Sequence, residues 1–391
     1  CAVIAAAGAD GEVRVVGVGT SPTEGMRRGV VVDVEKTVVS IRRAVEEAEV
    51  SAGTQALAAW VGIAGEHIRS VVSGGSAAVE GRGHEVSDLD RERAIAAART
   101  VAIPFDQQVL HVIPQGFALD SQEGILNPVG MCGVRLETSV YIVTGALTAV
   151  QNLCRSVERA GLEVRELALE SLASSRSVLT DDERDMGVAL MDLGGGTTDV
   201  AVYRGGSLRH TGVVGFGGQS VTNDVAVCVR TSWSNAESLK VHRGAALVRL
   251  LDGAETVEVP GVAGRAPVRV ARSELAAIIE ARMEEILVMA RSEIETEAQG
   301  LSAGVVLTGG GALIEGAVEL AEEVFQCPVR LGAPAGLGGL GETLDSPVYA
   351  TAAGLVLLAA DASGANAALP RRHGNRGGMG QRVRQWFDRV L

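Results

Sequence analysis

Residues 190 to 203 read LMDLGGGTTDVAVY. An apolar strand delivers Asp192, three glycines turn the chain, Thr197 and Thr198 follow, and a second apolar strand leaves. Glycine permits positive φ and close backbone approach, so the N–H groups of Gly194, Gly195 and Gly196 can converge on phosphate oxygens, with the two threonine hydroxyls as added donors. Asp192, at the strand end, is placed to hold Mg²⁺ through its water shell, because Mg²⁺ prefers oxygen ligands and keeps waters. No G-K-[ST] follows, so this is not a Walker loop. An ordinary hairpin turn fits the three glycines equally well.

A second turn shifts that balance. GVVLTGGGALIEG, residues 304 to 316, runs from a buried strand through Gly309, Gly310 and Gly311 into a helix. Such a connection brings flat backbone against an adenine or ribose, or a helix N-terminus toward phosphate. Alone it is an ordinary strand-to-helix junction. Two such turns on apolar strands, over a hundred residues apart, suggest two lobes facing one nucleotide.

Around these turns, strand-like apolar runs alternate with helical patterns, which makes the class α/β. EVRVVGVG and RRGVVVD read as strands, followed by a helix from Glu35 to Val50 and a buried strand over 57–65. A mixed segment, 69–145, contains a helix opened by the cap-like SDLD and the strand-like QVLHVIP and GVRLETSVYIVTG, and forms a candidate separate subdomain. A helix ended by Gly161 comes next, and residues 186–214 read as a three-stranded meander. A long helix is expected from Ser273 to Ala298. PVYATAAGLVLLAA, from Pro347 to Ala360, is too short to span a bilayer and reads as a buried helix. Residues 361–377 are rich in Gly, Ala, Asn and Arg without periodicity and read as a flexible linker.

The net charge of −13 is unevenly spread. Residues 371–391 carry six arginines and one aspartate, a net +5, which leaves −18 on the rest. A body that acidic is poorly suited to nucleic acid, whose binding rests on neutralising phosphates. The five cysteines are scattered without a C-x-x-C pair, which fits a reduced, cytosolic chain and argues against a disulfide framework or a zinc site. No signal peptide is visible. Cys1 is not a methionine, and CAVIAAAG begins like the second half of a hairpin, so further sequence is expected upstream.

DLGGGTTD and LTGGGALIEG together resemble the second phosphate motif and the adenosine motif of the actin-like ATPase superfamily. Within it the chain is similar to the FtsA family of bacterial cell-division proteins, through GEVRVVGVGTSPTEGMRRGVVVD, VLHVIPQGFALD, GILNPVGMCGVRLET and GVVLTGGG. The resemblance covers nearly the whole body. It implies a two-lobed actin-like fold that binds ATP and Mg²⁺. The first lobe would be formed by 1–68 with 146–180, the inserted subdomain by 69–145, the core of the second lobe by 181–214 with 304–360, and its outer part by 215–303. It also implies Gly217 and Gly218 at the cleft, Glu237 and Lys240 toward the nucleoside, and Glu170 as the carboxylate that positions water. An i,i+3 surface salt bridge is the plainer reading of Glu237 and Lys240, and a solvated acid at a helix start that of Glu170. A first phosphate hairpin, which this superfamily carries at its N-terminus, would precede Cys1.

The implied partners are FtsZ, further copies of the same chain, other division proteins and the anionic inner membrane. The implied turnover is slow at most. The insertion would serve partners and self-association, and the outer part of the second lobe would contact FtsZ.

The terminal GQRVRQWFDRVL resembles the membrane-targeting helix of that family. On a helix, Val383, Trp386, Phe387, Val390 and Leu391 form one apolar stripe, with Arg382, Arg384 and Arg389 on or beside the polar face. At 1.5 Å per residue the segment 378–391 reaches about 21 Å, short of a bilayer core of roughly 30 Å. Five buried apolar side chains at ~1.5–3 kcal/mol each, with about 1 kcal/mol per arginine near an anionic leaflet, give a reversible foot once helix ordering is subtracted. Two other readings share the cleft but have no use for this foot. One is a small-molecule kinase of the same superfamily, and the other is a PilM-like pilus-assembly protein.

Overall fold

The computed structural model describes residues 1–7, 12–261, 266–298 and 300–367. The chain opens with β1 (Ala2–Ala7), β2 (Val13–Gly19), the two-residue strands β3 (Met26–Arg27) and β4 (Val30–Val31), α1 (Val34–Ala52) and β5 (Ala58–Ile63). RRGVVVD is therefore a tight hairpin rather than one full strand. β1 and β2 pair antiparallel, and α1 presses directly on β2. That approach depends on Gly17 and Gly19, where a Cβ would sit 2.2 and 2.0 Å from the carbonyls of Ala48 and Ala44.

The segment after β5 forms its own sheet. β6 (Arg69–Ala78), α2 (Asp88–Ala98), β7 (Gln107–Leu119), β8 (Gln122–Ile125) and β9 (Arg135–Ala146) give a four-stranded sheet of order β6-β9-β7-β8, with α2 packed on β6 and β9. The SDLD start of α2 is a capping box: the Ser87 side chain accepts from the Asp90 N–H, and Asp90 accepts from the Ser87 N–H at 2.9 Å. Burial alone would raise the Asp90 carboxyl. Hydrogen bonds from Ser87, the Glu80 N–H and Arg93 outweigh it and hold the group well below the usual carboxylate range. The chain then returns through α3 (Leu147–Arg159), β10 (Glu163–Leu169), which runs parallel to β5, and α4 (Glu170–Val178).

The remaining elements build the second lobe: α5 (Asp181–Met186), β11 (Val188–Leu193), β12 (Thr198–Arg204), β13 (Ser207–Val214), α6 (Gly218–Cys228), α7 (Trp233–Arg243), β14 (Thr256–Val259), β15 (Val268–Ala271), α8 (Arg272–Glu293), β16 (Val305–Thr308), α9 (Ala317–Phe325) and β17 (Val329–Leu331). β18 (Gly338–Gly339) then rejoins β2 in the first sheet, and α10 (Ala350–Ala367) follows. The central sheet runs β13-β12-β11-β16-β17. Its alternate residues divide between two cores. Ala189, Met191, Leu193, Val200 and Leu307 pack with α6, α8 and α9, while Val188, Leu190, Ala201 and Val306 pack with the first lobe and the insertion. Burial on both faces explains why these strands read as continuous apolar runs.

Three boundaries differ from the sequence reading. α8 stops at Glu293 rather than Ala298, and α10 begins at Ala350 after a 3₁₀ turn over Pro347–Tyr349. α10 then continues to Ala367, so the first seven residues of the expected linker are helical. By length and composition Pro347–Gly364 could cross a membrane. Here it lies against α4, where a Cβ at Gly354 would fall 1.7 Å from the Ala173 carbonyl oxygen.

Candidate nucleotide site

β11 and β16 are adjacent parallel strands, with Asp192 opposite Thr308. The turns that leave them, residues 194–197 and 309–311, therefore lie side by side at the C-terminal edge of one sheet. The parallel pairing of distant strands sets both turns on one sheet, built from the two ranges, 181–214 and 304–360, expected to form a single lobe core. The turns touch directly, since a Cβ at Gly309 would sit 2.4 Å from Asp192 Oδ1 and 2.6 Å from the Leu193 carbonyl. Gly309 adopts φ +82°, which only glycine takes without strain.

The first turn uses its glycines differently from the expectation. None of Gly194, Gly195 and Gly196 has positive φ. The start of α6 docks on their carbonyls, with the Gly218 and Gln219 N–H groups donating to those of Gly194 and Gly195 at 2.9 and 2.8 Å. Close approach explains Gly217, where a Cβ would meet the Gly194 carbonyl oxygen at 2.5 Å. The threonine hydroxyls expected as phosphate donors are engaged inside the protein. Thr197 donates to Asp199 Oδ2 and Thr198 to the Phe216 carbonyl, both at 2.9 Å.

Glu237 and Lys240 are not a surface pair. Lys240 is buried, and its Nζ donates to Glu237 at 2.8 Å, to Thr222 Oγ1 at 2.9 Å and to the Gly218 carbonyl at 3.1 Å. The Thr222 hydroxyl also donates to Glu237. In this arrangement the pair fixes the start of α6 against α7, one step behind the first glycine turn. Gly310 and Gly311 open the 3₁₀ turn after β16, with Gly311 packed on Leu193.

Three carboxyl groups gather beneath the turns. Asp192 accepts hydrogen bonds from Ser174 of α4 and from Thr351 of α10, the latter at 3.1 Å, yet burial still raises its pKa. Glu170, the first residue of α4, lies over Gly62 of β5. Its pKa is pushed up to about 7 by burial and by the nearby Asp192 charge. Asp199 is opposite Asp192 in the β11–β12 register. Burial first, and then Glu170 and Asp192, raise its pKa well above the usual value, and its Oδ1 is buried without a hydrogen-bond partner.

The sequence reading missed Asp199, although it closes the GGGTTD run and falls opposite Asp192. It also missed Ser174 and Thr351, because they lie on helices far apart in the chain. A further tie comes from the insertion: buried His111 of β7 accepts the N–H of Leu169, the residue before Glu170, at 2.9 Å. Burial holds His111 at about 4, so its ring is neutral at neutral pH and can accept.

A carboxylate charge that raises the pKa of two buried neighbours, beside an orphaned carboxylate oxygen, fits a cation with oxygen ligands. Among the described residues no group of three such side chains is close enough to ligate one ion directly. The set therefore suits Mg²⁺ held through its waters and through phosphate rather than in an all-protein cage. Arg382, Val383, Trp386, Phe387, Val390 and Leu391, expected to meet the membrane, lie outside the described residues.

A family model described as cell division protein FtsA matches residues 189–354, and one described as the SHS2 domain inserted in FtsA matches residues 65–144. The chain is 47% identical to the cell division protein FtsA of Pseudomonas aeruginosa, over 89% of this chain and 84% of that protein. It is 42% identical to that of Neisseria meningitidis, over 97% of this chain and 93% of that protein. Among solved structures, a chain of a PilM–PilN type IV pilus biogenesis complex superposes with a TM-score of 0.63 at 17% identity, covering 91% of this chain and 94% of that one. The fold is the actin-like one, with an inserted α/β subdomain.

Proposed function

The chain belongs to the FtsA family of cell-division proteins, and we propose that it binds ATP with Mg²⁺ and tethers FtsZ polymers to the inner face of the cytoplasmic membrane at the division site. The observation that carries the nucleotide part is the β11–β16 register. It sets two glycine turns side by side above buried Asp192, beside Asp199 and Glu170, so that the backbone of both turns borders carboxyl groups suited to a cation and phosphate. In this reading Asp192 orients the Mg²⁺ waters, Gly194–Gly196 receive phosphate, Gly309–Gly311 lie along the nucleoside, and Glu170 positions water. Turnover is slow at most, since the role needs a switch more than a product.

Membrane attachment is assigned to residues 378–391 and FtsZ contact to the outer part of the second lobe, 215–303. The chain also assembles with copies of itself and meets other division proteins, through the insertion. Each foot binds reversibly, and assembly into a polymer makes later contacts effectively intramolecular, so many weak feet hold firmly. The pilus-assembly reading has only the shared fold behind it. The test is sedimentation of FtsZ with phosphatidylglycerol vesicles, with ATP and Mg²⁺, using the full chain and a chain ending at Gly378. The full chain brings FtsZ down with the vesicles and the shortened chain leaves it in the supernatant; equal recovery in both would exclude the tether.

A further inference from the structure

Met26–Arg27 and Val30–Val31 pair across a two-residue turn, Arg28–Gly29. Both turn residues have positive φ, +49° and +76°, as a type I′ hairpin requires. The first position of such a turn favours Asn, Asp or Gly, and arginine in the left-handed region is locally unfavourable. A sequence that breaks a local rule at one point commonly does so where function demands it.

The tip of this hairpin sits against the glycine turn. A Cβ at Gly196 would lie 3.4 Å from the Arg28 backbone nitrogen and 3.5 Å from its Cα, so the hairpin tip stands within van der Waals reach of the first glycine turn. On its other side the tip is wedged on the end of β5, where a Cβ at Gly29 would meet the Ala64 carbonyl at 2.6 Å. The Arg28 guanidinium stands 4.9 Å from the centre of the Phe216 ring and makes a loose contact with Glu66, at 3.9 Å. Phe216 itself is tied to the turn, because its carbonyl accepts from Thr198.

Two other basic groups near the turn are committed. Lys240 is buried among three acceptors, and Arg282, also beside Phe216, is bonded to Asp224 and Glu285. Arg28 is half exposed, with one long ion pair.

We propose that Arg28 reads the terminal phosphate of the nucleotide. This rests on the ATP reading above and adds to it a first-lobe residue that distinguishes triphosphate from diphosphate. With a triphosphate bound, the guanidinium leaves Phe216 and Glu66 and donates to the γ-phosphate, joining the hairpin tip to the second-lobe turn. With a diphosphate it stays on Phe216.

The test compares Mg·ATP and Mg·ADP binding to the full chain by calorimetry, for the parent, Arg28→Asn and Glu66→Gln. Asparagine suits the left-handed turn better than arginine, so Arg28→Asn keeps or raises thermal stability while removing the charge. The expected result is a loss of about ten- to a hundredfold in ATP affinity, the scale of one hydrogen bond to a charged group, with ADP changed by less than about threefold. Glu66→Gln, which frees Arg28 from its competing carboxylate, tightens ATP by about two- to fivefold and leaves ADP unaffected. Equal losses for ATP and ADP, or no loss for either, would overturn the role of Arg28 alone. Failure of the parent to bind either nucleotide would overturn the ATP reading and this proposal with it.

Discussion

Glu170 illustrates how a single residue records the cost of burying carboxyl groups beside one another. The folded chain keeps its carboxyl protonated up to about pH 7, whereas an unfolded chain gives up that proton near the ordinary glutamate value. Between those values the folded state binds more protons, so stability falls as pH rises through the window. Glu170→Gln removes the titration. Urea denaturation should show the variant more stable than the parent at pH 8, by on the order of 1–3 kcal/mol, and nearly equal to it at pH 4. The same offset at both pH values would show that a desolvated carboxyl is not the source. Asp192 and the glycine turn were legible because an acid at the end of an apolar run, followed by GGG, is a local pattern. The crowding of Glu170, Asp192 and Asp199 was not, because it depends on α4 and β12 being brought beside β11.

At the scale of elements, local signals predicted local structure well. The Ser87–Asp90 box started α2, and the apolar runs around 186–214 gave the three strands of the meander. Pairing between distant strands escaped, since nothing in residues 188–193 announces that 305–308 will lie parallel beside them. β6 was also missed: its Gly- and Ser-rich run, mostly exposed or half-exposed, lacks a clear apolar alternation. The contact of α10 with α4 turns on one residue. Gly354→Ala drives a methyl onto the Ala173 carbonyl, and the helices must separate to accept it. A cost of about 1–3 kcal/mol is expected, the usual penalty of overpacking, read as a lower denaturation midpoint. An unchanged midpoint would mean that α10 is not held where it lies.

Across the whole molecule, the insertion is bonded to both lobes. His111 accepts from Leu169 in the first, and in the second the Tyr141 hydroxyl accepts the Thr211 N–H of β13 at 2.8 Å while Gln115 donates to the Leu208 carbonyl at 3.2 Å. Tyr141→Phe strands the buried Thr211 N–H. It should cost about 1–3 kcal/mol, with faster hydrogen exchange at Thr211 than at the β11 amides. Retained protection at Thr211 would show that the hydroxyl is not its anchor. At its base the insertion resembles a detachable cassette, because Arg69 and Thr144 are neighbours across the β6–β9 ladder and a short loop could close the gap. Its faces say otherwise. A graft from a relative would close at the base yet leave donors on β10 and β13 bare unless it also brought an acceptor where His111 and Tyr141 stand. Variation in this region is therefore free at the far end of the sheet and tied, at the near end, to two strands more than fifty residues away in the chain.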